Sequence, residues 1–157
     1  MAESLDLTTS AILGLFRPIH SKIRDALDGI DSAVLNWRPG PDTNSIGALV
    51  QHIVSTEQAN IARITGSPSE PFAWDHTRGL DSSTLLQMLD QADAFLDEMS
   101  ETIPVSSLAM EVIHPHRGPS SALVLLLQTY GHVYEHYGHL ELTRQLCLQK
   151  FAANQAQ

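Results

Sequence analysis

An all-α fold, a four-helix bundle with long linkers between its helices, is the architecture this 157-residue sequence predicts. Three observations lead there. Four stretches carry apolar residues at helical spacing, turn-forming residues separate each from the next, and no alternation of strand and helix supports an α/β arrangement. At this length the chain makes one domain, expected over residues 1–150, with 151–157 as a loose tail.

In the first stretch, Ile12, Phe16, Ile19, Ile23, Leu27 and Ile30 recur at gaps of four and three and so share one helical face. Pro18 falls inside that pattern and predicts a kink between Gly14 and Pro18, or a division into two short helices. The run Asn36-Trp37-Arg38-Pro39-Gly40-Pro41 cannot be helical, and the Asp42 to Ser45 run after it is rich in N-cap residues. A second helix is expected from Ser45 to Gly66, a natural C-cap, with Ile46, Leu49, Val50, Ile53, Ile61 and Ile64 as its stripe. The linker to Gly79 holds Pro68 and Pro71. A third helix opens at Asp81 or Ser82 and buries Leu85, Leu89, Ala92, Leu96, Met99 and Ile103 until Pro104 stops it. From Pro104 to Gly118 the pattern is irregular, with a short strand or extended loop between Leu108 and Ile113. Pro119 suits the first helical position and is expected to start a fourth helix that runs to about Lys150.

Nine basic against 18 acidic residues give a net charge of −9, which repels phosphate backbones and anionic lipid. Nucleic acid and membrane are therefore not expected as partners. The longest apolar run, Ala122 to Leu127, is far short of the roughly 20 residues a bilayer crossing needs. The N-terminus has no basic region followed by an apolar stretch, so the expected location is the cytoplasm. A single cysteine, Cys147, excludes an internal disulfide and a cysteine-based zinc site; it reads as a small buried hydrophobe. No Gly-rich phosphate loop or nucleophile elbow is present.

The eight histidines are the informative residues. The fourth helix carries two opposed stripes: Leu123, Leu127, Tyr130, Tyr134, Tyr137, and Leu125, Thr129, His132, His136, His139, Thr143, Leu146. A solvated face would carry Lys, Glu or Arg, and the second stripe has none of them. His132 and His136, one turn apart, can converge on one ion; so can His136 and His139. All three cannot, because His132 and His139 are separated by about 10.5 Å of helix rise. Two ligands are too few, and His52, flanked by Ala48, Ser55, Thr56 and Ala59, is the best third from another helix. His114 and His116 flank Pro115 in a His-x-His pattern that is metal-binding or a surface turn, while His20 and His76 read as solvated.

Leu35-Asn36-Trp37-Arg38-Pro39, Asn44-Ser45-Ile46, His52-Ile53 and Glu57, with the late run His132-x-x-Glu135-His136-Tyr137-Gly138-His139-Leu140, resemble the DinB-like superfamily of four-helix bundles over residues 30–148. The resemblance implies a divalent metal held by a histidine of the second helix and a histidine pair four apart on the last. Those positions are His52, His132 and His136 here, and His139 matches a non-ligand position. Relatives include bacillithiol transferases and the mycothiol-dependent maleylpyruvate isomerase. The isomerase has Glu at the first of the two last-helix ligands, so His132 departs from its pattern. The implied cofactor is a divalent ion, Zn²⁺ or Ni²⁺ best suited to three imidazoles, with Mn²⁺ and Fe²⁺ open. The implied reaction is transfer of a low-molecular-weight thiol to a small electrophile; a non-catalytic metal-binding or stress-response bundle and a metal-dependent hydrolase are the alternatives. Arg38, Arg63, Glu57, Glu135 and Tyr137 are candidates to contact substrate, and each also has a plain surface or packing reading. A homodimer is expected, because Tyr130, Tyr134 and Tyr137 lie opposite the histidine stripe and need cover.

Overall fold

The computed structural model describes residues 3–66 and 80–155; Pro68, Pro71, His76 and the last two residues lie outside them. The chain is mostly helical, with α1 (Glu3–Gly14), α2 (Arg17–Leu27), α3 (Ser32–Asn36), α4 (Ile46–Ile64), α5 (Ser82–Thr102) and α6 (Ala122–Gln155). A 3-10 turn at Val105–Ala109 and an antiparallel hairpin of β1 (Glu111–His114) and β2 (Gly118–Ser121) precede α6.

Side-chain caps set the helix starts where the sequence placed them. Ser45 accepts from the Ala48 N–H at 3.2 Å ahead of α4, and Asp81 accepts from the Thr84 N–H at 2.8 Å ahead of α5. Asp31 does the same for α3, a short helix the periodicity did not separate, through the Val34 N–H at 2.8 Å. Gly66 takes a φ of +71° just beyond α4, the left-handed turn that glycine adopts without strain. Near Pro18 the first periodic stretch is divided into two helices rather than kinked. Between α1 and α2, the Leu15 and Phe16 amides turn back to the carbonyls of Ile12 and Leu13 at 3.2 Å each.

The helices close a ring. Helix α4 packs on α6 and α5, α5 packs on α1 and α2, and α2 meets α6. Phe16, Ile19, Ile23, Leu49, Ile53, Ile61, Leu85, Leu89, Leu96, Leu125, Val133 and Leu140 fill the space inside it. No described helix is long and apolar enough to cross a membrane.

Four expectations are corrected. Pro119 does not open α6; it sits in β2 opposite Ile113, and the helix starts at Ala122. At its other end α6 continues to Gln155, because Phe151 packs on the core where a loose tail was expected. The tyrosine stripe is covered within the chain: Phe16 meets the Tyr130 ring edge-on at 5.7 Å, and the Lys22 ammonium lies 5.9 and 5.7 Å from the Tyr134 and Tyr137 rings. The three tyrosines are half-buried there, and Leu123 and Leu127 of the same stripe are exposed.

The largest correction is His20, which is fully buried rather than solvated. Its Nε2 lies 2.9 Å from Glu57 Oε2 and its Nδ1 2.8 Å from Asp93 Oδ1, so one imidazole ties α2 to α4 and α5. Arg24 closes the outer side, 2.6 Å from Asp93 Oδ2. Burial alone would lower the His20 pKa, but hydrogen bonds and charge from Glu57 and then Asp93 carry it above its ordinary 6.5. Burial pushes the Glu57 carboxyl up against the pull of His20. Asp93 is held below its ordinary value, the bonds from His20 and Arg24 outweighing its own burial.

Two outcomes follow. Removing one partner of this buried pair with Glu57→Ala should cost about 3–5 kcal/mol in denaturant unfolding, while Glu57→Gln, which keeps an acceptor, should cost less. Because the folded-state pKa of His20 is raised, its contribution is complete below its ordinary 6.5 and is lost as pH rises through the folded value. Thermal midpoints measured from about pH 6 to about pH 9 should fall in the wild type, and His20→Gln should flatten that arm.

Candidate metal centre

Helices α4 and α6 lie side by side, and Asn60 fixes their register. Its Nδ2 donates to Thr129 Oγ1 at 3.1 Å while the Thr129 hydroxyl donates to the Leu125 carbonyl at 2.8 Å, both side chains buried. About two turns back along α4, that register sets His52 opposite His132 and His136.

His52 Nε2 lies 2.9 Å from His132 Nε2. The His52 and His132 rings each stand 4.4 Å, centroid to centroid, from the His136 ring. One ring nitrogen from each of the three falls within 4.8 Å of the others, and all three residues are half-buried. Two ring nitrogens 2.9 Å apart cannot both carry a proton on the shared side, so at least one presents its lone pair. Burial lowers the pKa of all three. His52 falls to about 4, with the charges of His136 and His132 adding to its burial. His132 is lowered further by Arg117, and His136 by His132 and His139.

These residues fit a divalent ion. Four-coordinate zinc at about 2.0–2.1 Å from each nitrogen would set the nitrogens about 3.3–3.4 Å apart, a small adjustment from the arrangement present. The buried His136 Nδ1 has no hydrogen-bond partner among the described residues. Thr56 Oγ1, 3.4 Å from His52 Nδ1, lies behind that ring, where a metal-bound imidazole takes its orienting contact.

His139 is exposed, its ring 5.3 Å from that of His136, and it stands outside the three-nitrogen group. Of the two pairs the spacing left open, the fold assembles His132 with His136. His139 instead lines a cavity of about 360 Å³, together with Asn44, Leu49, Leu142, Thr143 and Leu146. On the opposite side of the triad stands the hairpin. Its strand β1 packs against both α4 and α6, and Arg117 Nη1 donates to Gln128 Oε1 at 3.4 Å, one turn before His132. His114 is half-buried there, its ring 5.9 Å from that of His116. Its pKa is lowered by burial, then by the charges of Arg117 and Arg63.

The other expected contact residues divide. Arg63 is half-buried with its Nε unpartnered among the described residues, and Arg38 is half-buried beside Trp37. Glu135 is exposed, and its charge reaches both His132 and His136. Glu57 is committed to His20, and Tyr137 faces Lys22 on the other side of α6, so neither stands at the triad. Sequence reading missed Arg117, because only the hairpin brings it over α6. The His-Pro-His-Arg-Gly turn was its one local signal.

The sequence profile of the DinB superfamily matches residues 16–140. A conserved protein from Enterococcus faecalis has the same fold, with a TM-score of 0.71 at 18% identity over 91% of this chain and 96% of that one. A DinB-like protein from Bacillus cereus matches with a TM-score of 0.69 at 17% identity over 86% and 89% of the two chains. A third, from Bacillus subtilis, has a TM-score of 0.65 at 14% identity over 88% and 90%. No curated protein matches the chain.

The hairpin's electrostatics can be checked directly. The His114 imidazole should titrate below 6.5 by NMR, and Arg117→Gln should move it back toward that value.

Proposed function

The chain belongs to the DinB superfamily, and on that premise we propose that it binds one divalent metal ion through His52, His132 and His136 and transfers a low-molecular-weight thiol to a small electrophile. The observation that carries the reading is the convergence of three imidazole nitrogens from two helices within 4.8 Å, at half-buried positions. Three imidazoles suit Zn²⁺ or Ni²⁺, and Mn²⁺ or Fe²⁺ remain compatible.

A bound divalent ion supplies Lewis acidity here, bringing the pKa of a coordinated thiol or water toward neutrality. The chain's own residues do the rest. Imidazoles add no negative charge, so they leave the ion's charge undiminished. Thr56 holds the far side of the His52 ring. The cavity beyond His139 offers Leu49, Leu142 and Leu146 to an apolar electrophile, and Asn44 and Thr143 to its polar atoms. The sulfur has to arrive with the substrate: Cys147 is fully buried, burial raises its thiol pKa, and its Sγ rests 4.0 Å from the Val34 carbonyl.

Metal content and competition with a chromophoric chelator test the first half. His52→Ala, His132→Ala and His136→Ala should each abolish tight binding, and His139→Ala should retain it; equal loss from His139→Ala would overturn the ligand set. Metal-loaded protein with bacillithiol, mycothiol, glutathione or cysteine and a generic electrophile tests the second. Thiol consumption no faster than with His132→Ala would reject the transferase reading and favour a metal ion that joins helices. Ester cleavage without thiol would favour a hydrolase using the same open position.

A further inference from the structure

Acidic residues outnumber basic ones 18 to 9 in this chain, so where its arginines go decides where an anion could be received. Arg17 holds Asp93 and Asp97, Arg24 holds Asp90 and Asp93, and Arg144 holds Glu141. Among the described residues five cations have no such partner: Lys22 and Lys150 lie over aromatic rings, and of the remaining three, Arg38, Arg63 and Arg117, the last two stand at the hairpin end of the α4–α6 groove. Arg117 lies in the turn between β1 and β2 and is drawn over α6 by Gln128, about 6 Å of helix rise from His132. That single long contact occupies one of its five N–H groups.

Arg63 lies in the last turn of α4, in the row of positions that runs through His52, Thr56 and Ala59. Its Nε is buried and lacks an acceptor among the described residues, the kind of unsatisfied donor that folded proteins rarely leave. His114 adds a third group at the same end. Its Nδ1 accepts from the His116 N–H at 3.2 Å, which leaves the proton of the neutral ring on Nε2 as a donor. Glu111 on β1 and Glu135 on α6 are both exposed.

We propose that Arg63 and Arg117 form an oxyanion-binding subsite at the hairpin end of the groove, taking the carboxylate or phosphate of a ligand whose other end reaches His52, His132 and His136. The guanidinium fork matches either oxyanion in two-point contact, and a local positive end on an acidic protein gives an anionic ligand one place to orient. The reading of the triad as a metal centre enters only through the ligand's far end; the subsite itself is made of protein groups.

The test is calorimetric titration of succinate and of inorganic phosphate into the zinc-loaded full chain, its Arg117→Gln and Arg63→Gln variants, and the zinc-free chain. At least one anion should bind saturably with one site per chain. Each substitution should weaken that binding fivefold or more, with zinc affinity changed less than twofold. Tighter binding of succinate would identify a carboxylate ligand, and of phosphate a phosphoryl one. Absence of binding by both anions overturns the proposal, as does binding unchanged in either variant; Arg117 lies on an exposed turn, so its variant keeps the test valid if Arg63→Gln unfolds. Failure to take up zinc would overturn the metal reading instead, and the zinc-free titrations would still decide the anion subsite.

Discussion

Helix α4 must bury side chains on nearly every side and yet carries Glu57, Asn60 and His52, three polar groups that apolar packing cannot satisfy. Their partners come from two neighbouring helices. Glu57 meets His20 of α2, Asn60 meets Thr129 of α6, and His52 meets the histidine pair farther along α6. The first two contacts fix the rotation and the register of α4, and the third is their geometric result. An apolar stripe tolerates sliding and rolling, whereas a buried hydrogen-bonded group tolerates neither, so this helix has one seat in the ring of its neighbours.

The same sorting of contacts bears on where the arginines of a chain of net charge −9 stand. Acidic side chains from α5 collect around Arg17, Arg24 and His20 on one side of the bundle, where Asp90, Asp93 and Asp97 are occupied. The α4–α6 groove is left with histidines and two arginines beside it. Charge is sorted across the molecule by which helix faces which, and a long-range field favouring anions at the groove is compatible with an overall acidic surface.

Most of the architecture was legible in the sequence because caps and breakers are local chemistry. Ser45, Asp81 and Gly66 mark helix ends by bonds to residues three away, Pro104 does so by lacking an N–H, and the apolar spacing of α4 and α5 states which faces are buried. The triad was legible for a similar reason, since His132 and His136 are one turn apart, and the resemblance supplied His52. What could not be read depended on contacts far along the chain. His20 lies beside the stripe of the first stretch, on the side read from the sequence as polar and solvated, and its partners Glu57 and Asp93 are 37 and 73 residues away. The fold overruled that reading by supplying two carboxylates. Pro119 shows a different failure: a good local signal for a helix start lost to another local structure, the hairpin that pairs it with Ile113 six residues back.

Cys147 gives the molecule a built-in recorder of its own opening. Its sulfur is sealed between α6 and the α3 carbonyl of Val34, with no exposed surface in the folded chain. A thiol-specific reagent can reach it only when α6 lifts from α3, so the labelling rate counts separations of those two helices rather than events at the groove. Under the proposed thiol transfer the seal would have a second effect: an electrophile beside the histidines would meet no reactive sulfur of the host, and self-alkylation would be confined to the moments when the bundle comes apart.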